Sequence, residues 1–109
     1  MITIAELPAY IRKVKKKLSE DEQDDLKNFL AINPLAGDVI EGTGGLRKLR
    51  WSVGNKGKSG GVRVIYYFYN EILPLYLITA FMKNEKINLT KAERNELAKL
   101  VEILKKSAR

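Results

Sequence analysis

The sequence predicts a single α+β domain with the element order β-α-α-β-β-β-α. Two Ser/Thr-x-x-Glu capping signals, Ser19 with Glu22 and Thr90 with Glu93, each precede an apolar stripe of helical spacing. Between those helices lie three β-rich runs joined by short connections. No linker, repeat or low-complexity stretch divides the 109 residues, so 1–109 is expected to form one unit.

The opening segment to Leu7 partly alternates and reads as a short strand. Pro8 suits the first turn of a helix, where its missing N–H is not needed. That helix would turn Tyr10, Ile11, Val14 and Leu18 inward and Arg12, Lys13, Lys15, Lys16 and Lys17 mostly outward. Ser19 starts a second helix with Leu26, Phe29, Leu30 and Ile32 on its apolar face, and Asn33-Pro34 ends it, giving a helical hairpin. Gly37, Gly42, Gly44 and Gly45 mark a sharply turning loop. Residues 46–53, 62–69 and 74–82 are the strand candidates, and connections 54–61 and 70–73 are short enough for antiparallel hairpins. Thr90 opens a closing helix that buries Leu97, Leu100, Val101 and Leu104. The helices are expected to cover one face of the sheet.

Composition narrows the chemistry. The chain contains neither cysteine nor histidine, which excludes disulfides, thiolate or imidazole metal sites, and Ser-His or Cys-His nucleophiles. Carboxylate, lysine and tyrosine remain for proton transfer. No run reaches the apolar length of a membrane span and the N-terminal segment is too short and mixed for a signal peptide, so a soluble, cytoplasmic protein is expected.

Twenty Lys and Arg against 13 Asp and Glu give a net charge of +7, which favours a polyanionic partner. The charge is also segregated. Residues 19–41 carry seven acids against one base, whereas 46–63 carry six bases (Arg47, Lys48, Arg50, Lys56, Lys58 and Arg63) and no acid. Strand alternation puts Lys48 and Arg50 on one face with Leu49 on the other, and Arg63 can share their face from the next strand. Lys83 closes the third β run. Four cations on one side of a sheet, Lys48, Arg50, Arg63 and Lys83, are placed to grip phosphate. Like charges so clustered weaken a fold unless an anion offsets them. The plainer alternatives are a solvated strand face for Lys48 and Arg50 and an ion pair of Arg63 with Glu41, Glu71 or Glu85. Trp51, Tyr66, Tyr67, Phe68 and Tyr69 read mainly as core or edge aromatics, one or two of which can stack on bases.

The stretch 37–51 (GDVIEGTGGLRKLRW), the stretch 58–67 (KSGGVRVIYY) and Lys83-Asn84-Glu85 together resemble the HigB-like branch of the RelE/ParE toxin superfamily. The resemblance spans essentially the whole chain. It implies a small microbial-ribonuclease-like fold and the toxin of a bacterial type II toxin–antitoxin pair. It further implies an mRNA interferase that cleaves messages in the ribosomal A site without metal or cofactor. Its expected partners are mRNA, the ribosome and a HigA-like antitoxin with a helix-turn-helix, and no membrane. Lys48, Arg50 and Arg63 match strand positions that grip the message backbone in such toxins. Lys83, with Asn84 beside it, is nearest to a further basic or histidine position. Where some relatives carry a tyrosine base near the C-terminus, residues 86–90 here have none.

Such a reaction has the RNA 2′-hydroxyl attack its adjacent phosphate, which needs a base, cations for the growing phosphoryl charge, and an acid. Arg63 and Arg50 suit the phosphoryl oxygens. Lys48 or Lys83 is the candidate base, favoured by close cations and partial burial. Tyr67 is a lesser candidate as acid or stacking residue, and Arg47, Lys56, Lys58 and Asn84 are candidate RNA contacts. Two other functions stay open: a ParE-like poison of DNA gyrase, which the acid-free 46–63 stretch disfavours, and a non-catalytic nucleic-acid-binding domain. The antitoxin can cover the basic face or dock elsewhere, and the acidic 19–41 segment can be its docking surface or merely solvated.

Overall fold

The computed structural model describes residues 2–52, 61–86 and 88–107. Strand β1 (Ile4–Glu6) leads into helix α1 (Pro8–Val14), which has proline at its start as its sequence requires. Helix α2 (Glu20–Ile32) begins at a complete capping box. Glu22 N donates to Ser19 Oγ at 3.1 Å, and Ser19 N donates to the Glu22 carboxylate at 2.9 Å. Strands β2 (Asp38–Val39), β3 (Leu46–Trp51), β4 (Val62–Tyr67) and β5 (Leu75–Met82) follow. Helix α3 (Lys91–Lys106) repeats the capping box with Thr90 and Glu93.

The strands form one sheet in the order β1-β5-β4-β3-β2. β1 runs parallel to β5, and the other pairs are antiparallel. The sheet thus has five strands rather than four. β2 is only two residues long and lies where the glycine-rich loop was expected, too short for any periodicity to mark it.

The helices cover both faces, which corrects the expectation of one. The hairpin packs Tyr10, Val14, Leu26 and Leu30 against Val62, Val64, Tyr66, Leu75 and Leu77. Helix α3 packs Val101 and Leu104 against Leu46, Ile65, Tyr67, Ile78 and Phe81 on the other side. Every residue of β4 is buried, as befits a central strand enclosed on both faces. Each wholly enclosed Leu or Val contributes roughly 1.5–3 kcal/mol. Two residues expected inside lie at the surface instead: Ile11 is 39% exposed and Ile32, the last residue of α2, is 79% exposed.

The turn between α2 and β2 is drawn in by Tyr66. Its hydroxyl donates to Pro34 O at 2.8 Å and accepts from Gly37 N at 2.9 Å. Only glycine fits at position 37, because a Cβ there would lie 2.8 Å from Tyr66 Cε1 and 3.0 Å from the carbonyl oxygen of Lys48. This close approach sets β2, and with it Asp38, against β3. Among the described residues, no helix is long and apolar enough to cross a membrane.

Candidate functional site

The antiparallel register of β3 and β4 places Arg50 opposite Arg63 and Lys48 opposite Ile65. Lys48, Arg50 and Arg63 therefore project from one face, the face that α3 covers only over its apolar half. Lys83 follows directly on β5, and Asn88 precedes the capping box of α3. These residues, together with Asp38 of β2, line a single hollow of about 400 Å³. The expected gathering of Lys48, Arg50, Arg63 and Lys83 on one side of the sheet is what the geometry shows.

Arg63 is the least ordinary of them. It is only 6% exposed, and its Nη1 is shielded from solvent without a hydrogen-bond partner among the described residues. Burial first, and the nearby charge of Arg50 second, draw its guanidinium below the ordinary arginine value. Arginine starts so high that it remains a cation at neutral pH. A desolvated cation facing a like charge is a cost to the fold. None of the expected partners offsets it: among the described residues, no ion pair joins Arg63 to Glu41, Glu71 or Glu85. Glu85 is engaged elsewhere, accepting from Met82 N at 3.1 Å and pairing with Lys17 Nζ at 3.1 Å. Lys48 Nζ donates to Asn88 Oδ1 at 2.9 Å, which directs its ammonium across the hollow.

Other candidate residues fall outside this cluster. Arg47 projects from the opposite face of β3, where its Nη1 donates to Gly37 O at 2.7 Å and Leu35 O at 3.2 Å. It pins the α2–β2 turn and is removed from the set of RNA contacts. Tyr67 is 2% exposed and packs in the cluster that includes Val101 and Leu104 of α3, so it offers no ring to a base. Burial raises its hydroxyl above the ordinary tyrosine value, which also suits it poorly as an acid. Trp51 packs on Phe29 in the hairpin face, with ring centroids 5.3 Å apart. Asn84 is exposed but does not line the hollow. Lys56 and Lys58 lie outside the described residues.

Sequence reasoning missed Asn88 and Asp38. Asn88 sits two residues before a recognised helix cap, a position that gives no hint of direction. Asp38 was counted with the acidic segment, and only the pairing of Asp38 with Lys48 across β2 and β3 brings it to the cations. Among the described residues, no group of three or more potential metal-ligating side chains converges. A more apolar groove of about 510 Å³ runs between the start of α1, β5 and α3; of its two lysines, Lys13 and Lys86, the latter is paired with Glu93. The cations Lys48, Arg50, Arg63 and Lys83 gather in the smaller hollow. No family model matches the chain.

Proposed function

We propose that this protein is a ribosome-dependent endoribonuclease of the RelE/HigB toxin kind, with a small microbial-ribonuclease-like fold, acting on mRNA in the A site. The observation that carries this reading is the buried Arg63, whose Nη1 has no hydrogen-bond partner among the described residues, in a hollow shared with Arg50, Lys48 and Lys83. An unpaired buried cation beside a second cation is a poor element of a fold and a good receptor for a phosphodiester.

In this reading one non-bridging oxygen of the scissile phosphate meets Arg63 and the other meets Arg50, whose planar forks match phosphate geometry. As the 2′-hydroxyl attacks, charge accumulates on those oxygens and the fixed cations stabilise it without reorganising. Lys48, oriented by Asn88, and Lys83 at the far rim are the groups for proton transfer. A lysine is a modest proton acceptor, so the reaction depends on the ribosome to align the message. The partners in this reading are mRNA, the A site and a helix-turn-helix antitoxin of the HigA kind. The compartment is the cytoplasm.

The test is controlled expression followed by mapping of message 5′-ends, with Arg63→Ala alongside. The expected result is codon-positioned cuts by the wild-type chain and none by Arg63→Ala. DNA damage without message cuts would instead assign gyrase poisoning. Neither effect, with salt-sensitive RNA binding retained, would leave a non-catalytic binding domain.

A further inference from the structure

We propose that Asp38 takes the proton from the attacking 2′-hydroxyl. This inference rests on the reading of the hollow as an RNA-cleaving site and replaces that reading's modest lysine acceptor with a carboxylate.

Asp38 is the one carboxylate among the residues lining the hollow. Its register opposite Lys48 sets its side chain on the face that bears Arg50 and Arg63. Among the described residues it forms no ion pair, so it does not serve to neutralise a neighbour within contact distance. A negative charge at this place weakens phosphate binding. What it can contribute is a carboxylate oxygen beside the bound nucleotide, placed to accept a proton.

Its placement is also unusually constrained for an exposed residue on an edge strand. The peptide groups of Gly37, immediately before it, are held on both sides. Gly37 N donates to the Tyr66 hydroxyl at 2.9 Å, and Gly37 O accepts from Arg47 Nη1 at 2.7 Å. Two large side chains from β3 and β4 thus fix the backbone from which Asp38 reaches into the hollow. A reacting carboxylate needs this, because small displacements of a reacting group carry large losses of rate.

The step balances as follows. The Asp38 carboxylate takes the 2′-hydroxyl proton while the O2′–P bond forms. The P–O5′ bond breaks, its electron pair leaves with O5′, and an ammonium of Lys48 or Lys83 donates the proton that O5′ requires. The products are a 2′,3′-cyclic phosphate and a 5′-hydroxyl, and proton exchange with solvent restores the carboxylate and the ammonium. The lysines then serve as proton donors to the leaving oxygen, with Asp38 as the acceptor.

Single-turnover cleavage on programmed ribosomes tests this with the wild-type chain, Asp38→Asn and Asp38→Glu. Binding of the same message carrying one 2′-deoxynucleotide at the cut position is measured in parallel. Asp38→Asn is expected to cleave at least about 10²-fold more slowly. It should bind the 2′-deoxy message as tightly as wild type or more so, with an unchanged melting temperature, and Asp38→Glu should recover part of the rate. Asp38→Asn cutting at the wild-type rate would overturn the inference while leaving the ribonuclease reading intact. Loss of binding in proportion to loss of cleavage would also overturn it, since Asp38 would then merely shape the site. A wild-type chain that leaves the message whole removes the ribonuclease reading, and the inference with it.

Discussion

Strands β3 and β4 carry two cross-strand polar pairs on opposite faces of the sheet, and the pairs have opposite fates. On the hairpin face Arg47 lies opposite Tyr66, and each finds main-chain partners: Arg47 at Leu35 and Gly37, Tyr66 at Pro34 and Gly37. On the other face Arg50 lies opposite Arg63, and Nη1 of Arg63 has no partner among the described residues. The first pair closes a turn and is satisfied within the chain. The second is held open at a cost: Asp38 lines the same hollow but forms no ion pair with either arginine among the described residues. The same two strands therefore build a satisfied turn on one face and an open cluster of cations on the other.

Arg63→Met breaks this contrast most severely. Cleavage is expected to fall about 10²–10³-fold, since the chief stabiliser of phosphoryl charge is gone. Stability should stay level or rise, because an apolar side chain of similar length replaces a desolvated charge facing Arg50, an exchange often stabilising by about 1–4 kcal/mol. Urea unfolding beside ribosomal cleavage measures both. A variant that loses stability would mean that Arg63 has compensation inside the fold, and the distinction between the two faces would fail.

The reverse behaviour is expected on the hairpin face. Tyr66→Phe strands the Gly37 N–H and the Pro34 carbonyl, and should lower unfolding free energy by about 2 kcal/mol. Arg47→Met should lower it by about 1.5 kcal/mol, less because Leu35 is 62% exposed and its carbonyl can turn to water. Arg47→Met should also leave the salt dependence of RNA binding unchanged, whereas Lys48→Met should reduce its slope by about one phosphate contact. Equal salt slopes for the two variants would place Arg47 on the RNA after all.

The contrast shows which information the chain carries locally. Both capped helices, the three long strands and the shared face of Lys48, Arg50 and Arg63 follow from spacing alone, because period 2 and period 3.6 are properties of neighbouring residues. The two-residue strand β2 does not, since no period fits into two positions. The covering of both faces was also hidden: the run Val62 to Tyr67 is apolar apart from Arg63, and apolarity does not say which element lies on which side. Alternation already sets Arg47 and Arg50, three residues apart in β3, on opposite faces. What spacing does not show is that Arg47 is satisfied by carbonyls of the α2–β2 turn, which reach β3 only in the folded chain. Tyr67 likewise reads as a possible contact until α3 is seen to close over it. Residues brought in by β2 and by the segment before α3, Asp38 and Asn88, are the part of the site that local pattern cannot give.

The smallest expected effect concerns the one contact where the hairpin side supports the turn that carries Lys83. Glu85 accepts from Met82 N at 3.1 Å and pairs with Lys17 Nζ at 3.1 Å, bracing the end of β5 against the α1–α2 connection. The Met82 N–H chiefly, with Lys17 behind it, holds the Glu85 carboxyl below the usual glutamate range. A carboxyl depressed in the folded state stabilises fully above its unfolded value, near about 4.3, and loses that contribution as pH falls through the folded value. Wild type should therefore exceed Glu85→Gln at pH about 7, and the gap should close as the solution is acidified past the glutamate range. Because the side chain is 45% exposed and water screens the pair, the difference at neutral pH should be only about 0.5 kcal/mol. Urea unfolding of both proteins at neutral and acidic pH measures it. A gap of constant size across that range would mean that the shape of Glu85, and not its charge, braces the turn. The open face would then owe nothing electrostatic to the closed one.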